Sequence, residues 1–169
     1  LSSLVLEEDP TNASMFHARA RAHTSLGEFS SGREDIDRAI ALDPDNPEYF
    51  LQRGVNEYYS KRPSAALEDL RKAETLAKAK PKEIRLLICS TLGLVYSQIG
   101  SLDGVRESFD KAIELNEICA GAYYNRLVLN YMVGDLEGAI DDVKMVTGLS
   151  PNDSNAHTSY GYLLVLLGK

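Results

Sequence analysis

Three histidines, two cysteines and several acidic pairs are the side chains from which this chain would have to build a metal site or a catalytic centre. A zinc site needs several His, Cys or carboxylate ligands converging on one point, and the spacing of His17, His23 and His157 offers no such set. His17 lies one helical turn from Arg21, whereas His23 and His157 read as packing positions. Cys89 falls among bulky apolar positions and Cys119 precedes a helical pattern, so both read as inert structural thiols. The pairs Asp35/Asp37 and Asp141/Asp142 read as solvated outer helix faces. No GxxxxGK(S/T) or GxGxxG loop is present to cradle a phosphate. The expectation is therefore a protein that is not an enzyme, with no catalytic residue, cofactor or metal. The dense basic group Lys72, Lys78, Lys80, Lys82 and Arg85 reads as a solvated loop, with a docking site for an acidic partner as the alternative.

Charge and hydropathy narrow the class further. In 169 residues, 18 Lys and Arg stand against 25 Asp and Glu, a net charge of −7. That balance argues against a general nucleic-acid binder or an anionic-membrane binder, both of which want a basic surface. Hydrophobic residues at 44% fit a folded protein. No apolar run approaches the roughly 20 residues that span a bilayer. With two cysteines and no disulfide framework, the default setting is reducing and cytoplasmic, with nucleus or cilium equally open. Leu1 in place of an initiating Met suggests a piece of a longer chain.

The chain repeats itself. Phe16, Phe50, Cys89, Tyr123 and His157 are spaced 34, 39, 34 and 34 residues apart. Ala39, Ala73, Ala112 and Val146 keep the same rhythm, as do Ile36, Leu70, Phe109 and Val143. One five-residue insertion between Ala73 and Cys89 puts all columns in one register, and it is expected to lengthen the second unit's outer helix or its turn. Within each unit apolar residues recur at three- and four-residue steps in two blocks, which is helical periodicity. Gly27, Arg62-Pro63, Gly100 and Gly134-Asp135 punctuate the blocks. Nothing alternates with period two over strand length.

The third unit carries Cys89-x2-Leu92-Gly93-x2-Tyr96, then Val105-x3-Phe109 and Ala112; the others carry Ala39, Ala73 and Val146 in that last column. In these residues the chain resembles the tetratricopeptide repeat family, whose unit is about 34 residues. Trp is absent, and Arg19, Arg53 and Arg126 replace a leucine, which is expected to loosen single packing sites. The resemblance implies an all-α fold, a right-handed α-α superhelix of antiparallel helix pairs with about four full repeats and partial repeats at both ends. The boundaries are 1–10 for the end of a preceding repeat, then 13–46, 47–85 with the insertion, 86–119 and 120–153, with 154–169 the first helix of a further repeat. Small residues at Ala20, Gly54, Gly93 and Gly161 are expected where paired helices approach closely. Tyr160, Leu163, Leu164 and Leu167 are expected to be left open, or covered by a second copy of the chain.

In such arrays the first helices line a concave face on which partner segments dock. Carried onto this chain, that face takes His17 and Arg21 from the first repeat, then Gln52, Val55 and Tyr59 from the second. Leu94 comes from the third, Tyr124, Asn125, Val128 and Tyr131 from the fourth, and Tyr162 from the last helix. All nine tyrosines fall on first helices, and Tyr brings large contact area with a polar tip. The carboxylate clamp of chaperone-tail binders maps onto His17, Arg21, Gln52, Leu87 and Thr91, of which only Arg21 fits, so heat-shock chaperone tails are not the expected ligand. The asparagine ladder of O-linked N-acetylglucosamine transferase maps onto Ala18, Gln52, Thr91, Asn125 and Ser159, with one asparagine in five. The implied function is a non-catalytic module binding a peptide or helical segment of a partner protein. The alternatives are a structural spacer or assembly subunit, and the targeting arm of an enzyme whose catalytic domain lies elsewhere.

Overall fold

Short polar turns cut the sequence into helices of nearly uniform length. The computed structural model describes residues 11–168. The helices among them are α1 (Ala13–Ser25), α2 (Phe29–Leu42), α3 (Pro47–Tyr59), α4 (Pro63–Leu76), α5 (Lys82–Ile99), α6 (Leu102–Leu115), α7 (Ala120–Met132), α8 (Leu136–Leu149) and α9 (Ser154–Leu166). No strand occurs among the described residues. The partial repeat expected over 1–10 lies outside them. Starts are set by side-chain caps: Asn12, Asn46, Ser101, Asp135 and Asp153 each accept a bond from a first-turn N–H. Pro47 and Pro63 occupy first turns, where a missing N–H costs nothing.

The helices form two compact units that divide between Thr91 and Leu92, inside α5. In the first unit α1 packs on α2, α3 on α4, α2 on α3, and α1 beside α3. In the second, α6 packs on α7, α7 on α8, and α8 on α9. The first unit's core holds Phe16, Ala20, Ile36, Ala39 and Tyr49. The second holds Tyr123, Leu127, Ala139, Val143, Val146 and Leu163. The bulky and small columns read from the sequence are thus buried, with two exceptions in α9. His157 is exposed, with its Nε2 2.8 Å from the Pro151 carbonyl, because no helix follows α9 among the described residues to receive the ring. Gly161 meets nothing within 4 Å of a built Cβ, so no close approach requires it.

A Cβ on Gly54 would stand 2.8 Å from Leu70 Cγ, and one on Gly93 2.8 Å from the Phe109 ring. Each glycine therefore serves a close approach to the residue sixteen positions later on the paired helix. The α9 face differs from expectation. Leu163 is buried, and Tyr160, Leu164 and Leu167 pack against the α7–α8 core. It is Tyr162, Val165 and Leu166 that face outward.

The insertion lies between Ala73 and Cys89 as expected, but it lengthens a different element. α4 keeps the 14 residues of α2, α6 and α8, whereas α5 has 18 against 13 in α1, α3, α7 and α9. The extra residues sit almost wholly in a further N-terminal turn on α5. There Glu83 complements the positive end of the helix dipole, and Ile84 and Leu86 are half-buried.

The turn inside each pair needs a left-handed residue. Gly27, Gly100 and Gly134 supply it at φ 77°, 80° and 81°, and Lys61 stands in the same place at φ 60°. A side chain there costs roughly 1–2 kcal/mol that glycine avoids. Lys61→Gly should therefore raise stability by about 1 kcal/mol, read from urea unfolding; an unchanged or lowered midpoint would show that the turn holds Lys61 without strain.

Candidate functional site

Two surfaces compete for the role of working site, and electrostatics separates them. One acid on each of three second helices is withdrawn from solvent. Arg19 donates from Nε and Nη2 to both oxygens of Asp35, Arg53 does the same with Asp69, and Arg126 with Asp142. Arg53 and Arg126 also reach back to Asp37 and Asp110 of the preceding second helix, both at 2.7 Å. Asp35, Asp69 and Asp142 are buried. Each guanidinium lies over the aromatic ring three residues earlier, at 5.7 Å from Phe16, 5.6 Å from Phe50 and 5.6 Å from Tyr123. Hydrogen bonding to the paired aspartates drives the pKa of all three arginines further up. Two sequence expectations are thereby corrected. The arginines fix the helix pair instead of loosening it, and Asp35 and Asp142 are buried partners. Asp141 keeps the solvated role, with an exposed pair to Lys144, and Asp37 stays partly exposed while pairing with Arg53.

The other buried polar side chains also have partners, although Asn130 Oδ1 accepts no hydrogen bond. Glu57, fully buried on α3, pairs with Arg33 and has Arg62 Nε 2.7 Å from its second oxygen. Asn56 accepts from Thr24 Oγ1 and donates to the Phe29 carbonyl. Asn130 donates to Asp142. His23, expected in the packing, has Nδ1 2.5 Å from Glu28. No group of three or more His, Cys, Asp or Glu able to hold a metal occurs among the described residues.

The first-helix faces differ. In the first unit His17 rests against the Tyr49 ring, centroids 5.1 Å apart, and burial lowers its pKa. Arg21 is exposed, Gln52 donates to Thr24, Val55 is half-buried, and Tyr59 is exposed against the edge of Tyr58. A cleft of about 630 Å³ joins Arg21, Thr24, Gln52, Val55 and Tyr59 with Gly27 and Phe29 of the turn. In the second unit Leu94, Asn125, Val128, Tyr131 and Tyr162 are exposed, and Tyr124 is half-buried against the core. The Tyr131 and Tyr162 hydroxyls lie 3.5 Å apart, and that bond raises the Tyr131 pKa.

A second cleft, of about 210 Å³, joins Leu94, Ser97, Asn125, Val128 and Met132 with Gly100, Leu102 and Phe109. Of the expected groove residues, Arg21, Gln52, Val55 and Tyr59 line the first cleft and Leu94, Asn125 and Val128 the second; Ser25, Ser97 and Leu129, also on first helices, were not among them. Sequence reasoning also missed Phe29, Leu102 and Phe109, which the turn and second helix bring in.

Antiparallel helix pairs repeating every 34 residues, with an uncommitted first-helix face, define a helical repeat protein of the solenoid class. Two models described as tetratricopeptide repeat match residues 17–83 and 87–119. The chain belongs to the tetratricopeptide repeat family. A protein SGT1 homolog of Bos taurus is 32% identical over 74 residues, 44% of this chain and 22% of that protein. A DnaJ homolog subfamily C member 3 homolog of Dictyostelium discoideum is 23% identical over 168 residues, 90% of this chain and 33% of that protein. The chain thus spans between about a fifth and a third of those two relatives. Among solved structures, PilF of Pseudomonas aeruginosa superposes with TM-score 0.84 at 22% identity, covering 96% of this chain and 72% of the other. YrrB, described as a TPR protein with an unusual peptide-binding site, gives 0.74 at 18% identity, covering 99% and 84%. These likenesses are of fold.

The Arg–Asp pairs make a direct prediction. Removing one partner of a buried ion pair costs about 3–5 kcal/mol, because the other charge is stranded. Arg53→Leu should fall in that range, and adding Asp69→Ser should recover most of it, since the third repeat carries Leu92 and Ser108 in those places. Urea unfolding of the three variants decides; a double variant as weak as the sum of the singles would contradict the pairing.

Proposed function

We propose that the chain is a non-catalytic protein-interaction module that takes a peptide or helical segment of a partner on its first-helix faces. One observation carries this reading. The second-helix carboxylates at the Arg–Asp positions are consumed within the fold, while Tyr59, Leu94, Val128, Tyr131, Met132 and Tyr162 of the first helices remain exposed. Large apolar and aromatic side chains left in water on the first helices of a unit are what a protein interface buries. Membership of the repeat family supports the reading, as does the peptide-binding site attributed to YrrB. The clamp positions support a ligand other than an acidic chaperone tail. Arg21 is the one fixed cation among them, and His17 tends to the neutral form.

Capture from lysate on the immobilised protein tests this reading. It is run beside a Val128→Glu, Tyr131→Ala variant of unchanged helicity. A partner held by the parent should be lost by the variant, since both positions are exposed and their replacement leaves the core intact. A partner retained equally by both would contradict binding on this face and favour a spacer whose outer surfaces make the contacts.

A further inference from the structure

The two clefts occupy the same place in the repeat. One interval of 34 and one of 39 residues carry Arg21 onto Leu94, Thr24 onto Ser97, Gln52 onto Asn125 and Tyr59 onto Met132. The register is retained, while size and chemistry change: about 630 Å³ in the first cleft against about 210 Å³ in the second. The first cleft presents a guanidinium with no carboxylate at ion-pair distance among the described residues, although Arg19, Arg33, Arg38, Arg53 and Arg62 each have one. The second cleft has no ionisable side chain in its lining.

Resting on the interaction-module reading above, we propose that the second cleft is a socket for one large uncharged apolar side chain, of the Leu, Ile, Met or Phe kind, on a partner segment. Size selects the occupant. About 210 Å³ exceeds the roughly 150 Å³ apolar cavity that accepts benzene, and falls short of the roughly 300 Å³ at which drug-sized ligand pockets begin. Its floor is apolar, with Phe109 and Leu129 buried behind Leu94 and Val128.

Charge selects as well. Arg126, on the same helix as Asn125 and Val128, is held by Asp110 and Asp142. A carboxylate or ammonium entering the cleft would give up hydration and meet no counter-charge. Asn125 and Ser97 stand exposed in the lining, and neither side chain is hydrogen-bonded to another described residue. A carboxamide and a hydroxyl there can meet the main-chain amides that flank an inserted side chain.

The register supplies the variant that tests this. An arginine occupies the Leu94 position in the first repeat, so Leu94→Arg is compatible with the fold and puts a cation into the socket. The probes are N-acetyl-leucine methylamide, its alanine and glutamate counterparts, and ¹³C-methyl NMR of Leu94, Leu102, Val105, Val128 and Met132. The leucine amide should give saturable shifts confined to these methyls, at least about ten-fold tighter than the alanine amide, given the apolar area the larger side chain buries. The effect should be lost in Leu94→Arg, with the remaining spectrum unchanged.

Absence of shifts, equal affinity for the three amides, or shifts that persist in Leu94→Arg would overturn the socket. So would shifts of these methyls with protein concentration alone, which would show a second copy of the chain seated there. If the socket fails while the Val128→Glu, Tyr131→Ala variant still loses its captured partner, the interaction-module reading stands without it.

Discussion

The contact between a residue and the one sixteen positions later, across the turn of a helix pair, is the constraint on which the rest of the structure depends. It recurs with two chemistries side by side. At one position Gly54 admits Leu70 and Gly93 admits Phe109, so two helix backbones approach within the reach of a missing Cβ. At the neighbouring position Arg19 meets Asp35, Arg53 meets Asp69, and Arg126 meets Asp142. The apolar contact supplies burial and is tolerant of rotation. The two-pronged guanidinium–carboxylate contact is directional, so it fixes how one helix sits against the other. A fully buried ion pair is weak evidence for net stability, since desolvation offsets much of the attraction. Its contribution here is register.

That division of labour leads to function. Charges on the paired faces are spent inside the repeat, and Arg53 and Arg126 extend the tie to the preceding second helix through Asp37 and Asp110. The first-helix face has no such obligation. It can carry Arg21 and Gln52 in one unit, and Leu94, Val128 and Met132 in the other, without disturbing the pairs behind it. A repeat whose scaffold is fixed at one set of positions is free to vary at another, which is how a single architecture presents different chemistry along its length.

Period, helix type, turn positions and the apolar columns were legible in the sequence, because each rests on local rules. Alternation of three and four, a glycine in the left-handed region and a proline in a first turn are all local. The Arg–Asp pairs were not read, because charge on an amphipathic helix ordinarily faces water and the partner lies on another helix. A trace was nevertheless present. In the repeat that has Leu92 where the other three full repeats have arginine, Ser108 stands for aspartate and Cys89 for the aromatic ring, so three columns change together. The five extra residues were bounded correctly between Ala73 and Cys89, but they were expected in the second unit's outer helix or its turn, whereas they mostly extend the next helix at Lys82–Arg85. His157 and Gly161 kept their columns in sequence and lost their roles in space. The clefts needed the fold, because turn and second-helix residues complete them.

The most direct test of the central contact is to install it where it is absent. Leu92→Arg and Ser108→Asp, singly and together, form a double-mutant cycle measured by urea unfolding. Each single variant should destabilise by burying an unpaired charge, and the pair should recover with a coupling of at least about 1 kcal/mol. Additive losses would contradict the account, and would mean that the Arg–Asp pairs accompany the helix packing without setting it.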